Sequence, residues 1–175
     1  MVFIDSYRLG SEFFRDWLEG EVARARRHKH CFSLVVFDID EFRIFDKSQK
    51  YIYTKACFEK MCKILREGVR LSDIVFVSGF RKTGFVVILP ETDKKGAVVF
   101  ANRVKNEMER FSNTLWGVLP KEERPTVSAG ISSFPDDGES DEVLCKKAEQ
   151  AFNDARKRGG NMVVSVSDIN GPREE

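Results

Sequence analysis

Asp38 and Asp40 stand at the exit of an apolar run, residues 32–37, that reads as a buried strand. Carboxylates at a strand end are how a metal-dependent phosphoryl-transfer enzyme presents its first cation ligand, because hard divalent cations take oxygen donors. That chemistry needs a further carboxylate from another strand, to hold both ions and neutralise developing charge. The next two apolar runs, 74–77 and 85–89, are where it is expected. Residues 74–90 contain no Asp or Glu, and the turn between the runs carries Arg81 and Lys82. Asp38 is left as a weak metal candidate. The competing reading makes Asp38 retained scaffold, with Asp40 pairing or capping locally.

The elements that must position these residues can be read from periodicity. Phe14, Trp17 or Leu18, Val22 and Ala25 recur at helical spacing and end near the basic cluster at 26–30. A strand follows at 32–38, then a helical region over about 42–69 with Cys57, Met61, Ile64 and Leu65 inward. The runs 74–77 and 85–89 form a hairpin around Ser78, Gly79 and a polar turn. Ala97, Ala101, Val104, Met108 and Phe111 mark a long helix, and residues 126–133 alternate as a strand. Leu144, Ala148, Ala151 and Ala155 give another helix, and 162–166 a last strand. The fold class is α/β (α+β): a ferredoxin-like βαββαβ core, a mostly antiparallel sheet with helices on one face and other helices surrounding.

At 175 residues and 42% hydrophobic content the chain fits one domain, taken as 1–166, followed by a polar tail at 167–175. Its net charge of +1 supplies no general drive toward nucleic acid or anionic membrane, so phosphate binding has to be local. Cys31, Cys57, Cys62 and Cys145 lack metal-ligand spacing, and no secretory or membrane-spanning apolar stretch is present. Reduced thiols in a cytoplasmic protein follow. His28 and His30 flank Lys29 in a solvated basic segment and receive no chemical role.

Four segments carry a family resemblance: FSLVVFDIDEF at 32–42, FVVILPETD at 85–93, TVSAGISSFPD at 126–136 and KKAEQAFNDARKRGGN at 146–161. Together they resemble GGDEF domains, over roughly residues 10–166, with several motifs in the right order. The resemblance implies a diguanylate cyclase ancestry, in which two GTP are condensed to cyclic di-GMP by domains paired face to face. Carried over residue by residue, the signature positions fall on Arg81, Lys82, Thr83, Gly84 and Phe85, and only the phenylalanine survives. Asp38 matches the family's first metal ligand without its partner. Asp46 and Lys55 fall where the family reads guanine; a lysine has donors only and cannot accept from the guanine N1 and N2 donors. Arg156 keeps the charge of a phosphate-contacting lysine, while Gly160 replaces an arginine. Losing several such groups together should abolish turnover.

A second site implied by the resemblance is intact. Arg70, Leu71, Ser72 and Asp73 preserve the RxxD motif of the family's inhibitory product site, and its helix arginine falls on Arg103. Guanidinium forks suit guanine O6 and N7 or phosphate, and Asp73 can accept from a guanine donor edge. The competing reading is a solvated helix cap at 70–73 and an Arg103 whose stem covers apolar surface. The expectation is a catalytically inactive cyclic di-GMP receptor that signals to a linked sensory or effector domain, with Mg²⁺ involved only if nucleotide binding persists. Two alternatives stand beside it: an inert dimerisation or scaffold domain, and a residual cyclase. A GTP sensor is disfavoured by Lys55 and Gly160.

Overall fold

A computed structural model describes residues 2–4, 11–40, 47–77 and 84–170. In chain order these form β1 (Val2–Ile4), α1 (Ser11–His28), β2 (Phe32–Ile39), α2 (Lys47–Gly68), β3 (Ile74–Val77), β4 (Phe85–Pro90) and α3 (Lys94–Trp116). A short 3₁₀ turn leads to β5 (Val127–Phe134), α4 (Asp141–Lys157), β6 (Val163–Ser165) and α5 (Val166–Asn170).

The six strands lie in the order β1-β3-β4-β2-β5-β6. β2 is central and antiparallel to both β4 and β5, β3 is antiparallel to β4, and the two edge strands join in parallel, β1 to β3 and β6 to β5. The expected ferredoxin-like core is β2-α2-β3-β4-α3-β5. β1 was not legible, since three apolar residues carry no measurable period, and α5 falls on residues expected to open the polar tail.

Strand alternation sorts the core into two layers. Val35, Phe37 and Ile39 of β2 pack with Cys57, Met61 and Leu65 of α2 and with Ala97, Ala101, Val104 and Met108 of α3. Phe32 and Leu34 pack instead with Leu18, Val22 and Ala25 of α1 and with Leu144 and Ala148 of α4. Helices therefore cover both faces of the sheet, where the core connectivity alone suggested one; α1 and α4, outside the βαββαβ unit, supply the second layer. The choice between Trp17 and Leu18 resolves in favour of Leu18, fully buried, whereas Trp17 keeps 39% of its surface in solvent.

Local signals fix the helix ends. Asp93 caps α3 by accepting from the Gly96 amide at 2.8 Å, and Ser140 caps α4 by accepting from the Val143 amide at 3.3 Å. Asp141 and Glu142 in the first turn of α4, with Arg156 and Lys157 in its last, complement the helix dipole.

Burial pushes the Cys57 thiol up to about 12. Cys145 is likewise pushed up to about 12, mainly by burial, with Asp141 and Glu149 adding to it and Arg15 opposing. At pH 8 the reactive thiolate at either position is about one part in ten thousand. Both thiols are expected to resist a disulfide-exchange reagent at pH 8 until denaturant is added. Peptide mapping that finds either one labelled within minutes in the native protein contradicts this.

Candidate ligand site

The β2 exit comes first, because the metal reading depends on it. Asp38 is 6% exposed and engaged. Asp40 accepts from Thr126 Oγ1 at 2.6 Å, Ser128 Oγ at 2.7 Å and the Asn161 amide at 2.9 Å. Its own amide donates to the Thr126 carbonyl at 2.9 Å. The local pairing expected of Asp40 is thus a long-range one, reaching β5 and the α4–β6 turn. This donor set does not fit the two cations of the family's chemistry: Asp40 is occupied by three hydrogen-bond donors, and among the described residues no three His, Cys, Asp or Glu side chains gather as metal ligands.

The other nucleotide positions are dispersed. Asp46, Arg81, Lys82 and Thr83 lie outside the described residues. Gly84 is buried just ahead of β4. Lys55 is exposed on α2 and faces Glu59 at 3.9 Å, a solvated pair one helical turn apart. Arg156 lays its guanidinium over the Phe152 ring, 5.9 Å from the centroid, covering apolar surface as a long cationic stem does. Gly160 has φ +76°, and a Cβ there would lie 3.0–3.1 Å from the Asp40 carboxylate.

The RxxD residues, by contrast, are gathered. Helix α2 ends at Gly68, and residues 70–73 turn the chain into β3. Asp73, 3% exposed, accepts from the Arg70 amide at 2.7 Å and from Ser72 Oγ at 3.2 Å, and its own amide donates to the Arg70 carbonyl at 3.1 Å. This is an Asp-built turn, so setting the backbone is the first role of Asp73. Arg103 crosses from α3 and donates from Nη2 to the Gly68 carbonyl at 2.5 Å, with its guanidinium 5.6 Å from the Phe100 ring centroid. The bond caps the α2 C-terminus. Gly68 leaves room for it, since a Cβ would lie 3.3 Å from Arg103 Nη2. Arg70 and Leu71 project into solvent.

On its other side the turn borders an open groove of about 740 Å³ against α1. Trp17, Glu21 and Arg24 line it from α1, with Arg70, Leu71 and Glu91 opposite. The sequence reading missed these α1 residues. Glu21 and Arg24 stand three apart, a spacing that places side chains together on a helix, but nothing local says that α1 lies beside the 70–73 turn.

The fold and the turn define an α+β domain: a ferredoxin-like sheet between two helical layers, with Arg70 and Arg103 near the entrance to β3. The family profile described as "Diguanylate cyclase, GGDEF domain" matches residues 10–162, and the chain belongs to that family. Diguanylate cyclase A of Treponema denticola is 27% identical over 136 residues, covering 78% of this chain and 35% of the relative. Diguanylate cyclase DosC of Escherichia coli is 25% identical over 156 residues, covering 89% and 33%. The chain spans about a third of the length of these curated relatives. Among solved structures, the active GGEEF domain of a diguanylate cyclase from Vibrio cholerae superposes with a TM-score of 0.74 at 18% identity, covering 90% of this chain and 96% of that one. The GGDEF domain of DgcB from Caulobacter crescentus, in complex with c-di-GMP, gives 0.73 at 16% identity, covering 90% and 91%. At these identities the likeness establishes the fold.

Proposed function

We propose that this chain is a non-catalytic regulatory domain of the GGDEF family that takes cyclic di-GMP at the Arg70–Asp73 turn. The observation that carries this reading is the Arg103 Nη2 bond to the Gly68 carbonyl, which brings a guanidinium from α3 to the turn that Arg70 opens. Arg70 and Arg103 supply fork-shaped donors for phosphate or guanine, and Asp73 holds the turn that presents Arg70. The c-di-GMP complex of the DgcB domain supports the choice of ligand. The reading without turnover is supported by the sequence at 81–84, which has no carboxylate, and by the Asp40 hydrogen bonds, with no three potential metal ligands gathered among the described residues.

The domain works in a cytoplasmic setting, passing occupancy to a neighbouring domain or partner; the diguanylate cyclase SiaD, solved with its activator SiaC, is a relative that engages another protein. None of the described helices is long and apolar enough to cross a membrane.

Calorimetric titration with cyclic di-GMP and with GTP tests this. Micromolar binding of the cyclic dinucleotide is expected, with Arg70→Ala weakening it by at least about tenfold, the loss of one charge-assisted contact. No product should form from GTP with magnesium or manganese. Absence of heat at high ligand concentration leaves the scaffold reading, and product formation restores the cyclase.

A further inference from the structure

The groove beside Arg70 contains a second guanidinium that is not available in the same way. Glu21, on the groove wall, is only 9% exposed, and a carboxylate taken that far from water needs a charged partner. Arg24 supplies it along one edge of its fork, Nη2 to Oε1 at 2.7 Å and Nε to Oε2 at 3.0 Å. Two cations, Arg24 and Arg70, face three carboxylates, Asp16, Glu21 and Glu91, so the lining carries a net charge of −1. An anionic ligand entering here meets two exposed guanidiniums, Arg70 and an Arg24 whose Nε and Nη2 are already held by Glu21. The groove also offers apolar surface on which a flat base could stack: Trp17 presents a partly exposed aromatic side chain and Leu71, 87% exposed, an apolar one.

We infer that Glu21 sets the affinity of this groove for phosphodiester ligands by holding Arg24 in the paired state. The inference rests on the proposed function at Arg70. Removing the Glu21 charge leaves the shape of the wall intact, raises the net charge of the lining from −1 to zero, and frees a bidentate donor for phosphate. Glu21 thus acts as a specificity device: neutral or cationic groups are tolerated in the groove, whereas a phosphodiester meets an Arg24 whose charge and inner edge Glu21 already takes up.

Cyclic di-GMP is titrated into the full chain, into Glu21→Gln and into Glu21→Gln/Arg24→Ala, with thermal melts confirming that each is folded. Glu21→Gln is expected to bind at least about fivefold more tightly than the parent, the range of one added charge-assisted contact, and Arg24→Ala in that background removes the gain. If the parent binds and Glu21→Gln binds no more tightly, or if the gain survives loss of Arg24, the inference is overturned while the receptor reading stands. If only Glu21→Gln binds, the role of Glu21 stands and the receptor reading of the parent falls. Binding by none of the three overturns both.

Discussion

Gly130→Ala is expected to remove a large part of the stability of the domain. Gly130 lies in the middle of β5, where α4 crosses directly above the sheet. A Cβ there would sit 2.2 Å from the Ala148 carbonyl oxygen, 2.2 Å from the Phe152 amide nitrogen and 2.7 Å from the Phe152 Cα. All three are backbone atoms of one helix, so no rotamer change relieves the contact, and α4 has to lift off the strand. Lifting it opens the layer formed by Ala148, Ala151 and Ala155, each fully buried, whose small side chains permit the close approach. Overpacking ordinarily costs 1–3 kcal/mol where side chains can shift; with backbone on backbone and a helix displaced, about 3–5 kcal/mol is the expected loss. That is a large part of the 5–15 kcal/mol typical of a domain. The same substitution at Gly20 gives the opposite sign. Nothing lies within 4 Å of a Cβ at that exposed position of α1, and replacing a helical glycine gains about 0.5–1 kcal/mol. Denaturant midpoints for the two variants provide the comparison. A Gly130→Ala protein as stable as the parent would mean that α4 does not rest on β5 as described.

The contrast between these glycines shows where the sequence is informative and where it is silent. Periodicity places both elements correctly: the inward face of α4, read as Leu144, Ala148, Ala151 and Ala155, is fully buried at all four positions. It cannot say that α4 presses on Gly130, because that contact joins residues about twenty positions apart through the pairing of layers. The same limit governs the candidate site. Arg70, Leu71, Ser72 and Asp73 are contiguous, and their turn is legible as a motif. Arg103 reaches that turn only because α2 and α3 share one face of the sheet, and the groove formed with Trp17, Glu21 and Arg24 exists only because α1 covers the other. Asp40 is the clearest case. Its position after β2 suggests a metal ligand or a local cap, and its partners prove to be 86, 88 and 121 residues away.

Those partners make Asp40 a structural clamp, and Asp40→Ala the second large effect. The carboxylate ties together three separate parts of the chain: the end of β2, the start of β5 through Thr126 and Ser128, and the α4–β6 turn through the Asn161 amide. The turn runs through three consecutive residues with positive φ, Gly159 at +112°, Gly160 at +76° and Asn161 at +52°. Asn161, which has a Cβ, is held in this conformation with its amide donating to Asp40. Hydrogen bonds to a charged acceptor contribute about 1.5–3 kcal/mol each net of water, and less where the site is partly open to solvent. With three of them lost and Asp40 only half-buried, a net cost of about 2–4 kcal/mol is expected for Asp40→Ala. Asp40→Asn keeps one acceptor oxygen for the Asn161 amide, and its amide nitrogen can donate to the Thr126 or Ser128 hydroxyl once that hydroxyl rotates, so it recovers part of the loss while forfeiting the acceptor's charge. If Asp40 served a cation instead, its removal would leave stability unchanged in metal-free buffer. Urea unfolding in the presence of chelator separates the two cases: a shift of less than about 0.5 kcal/mol, the range of a surface substitution, would remove the clamp.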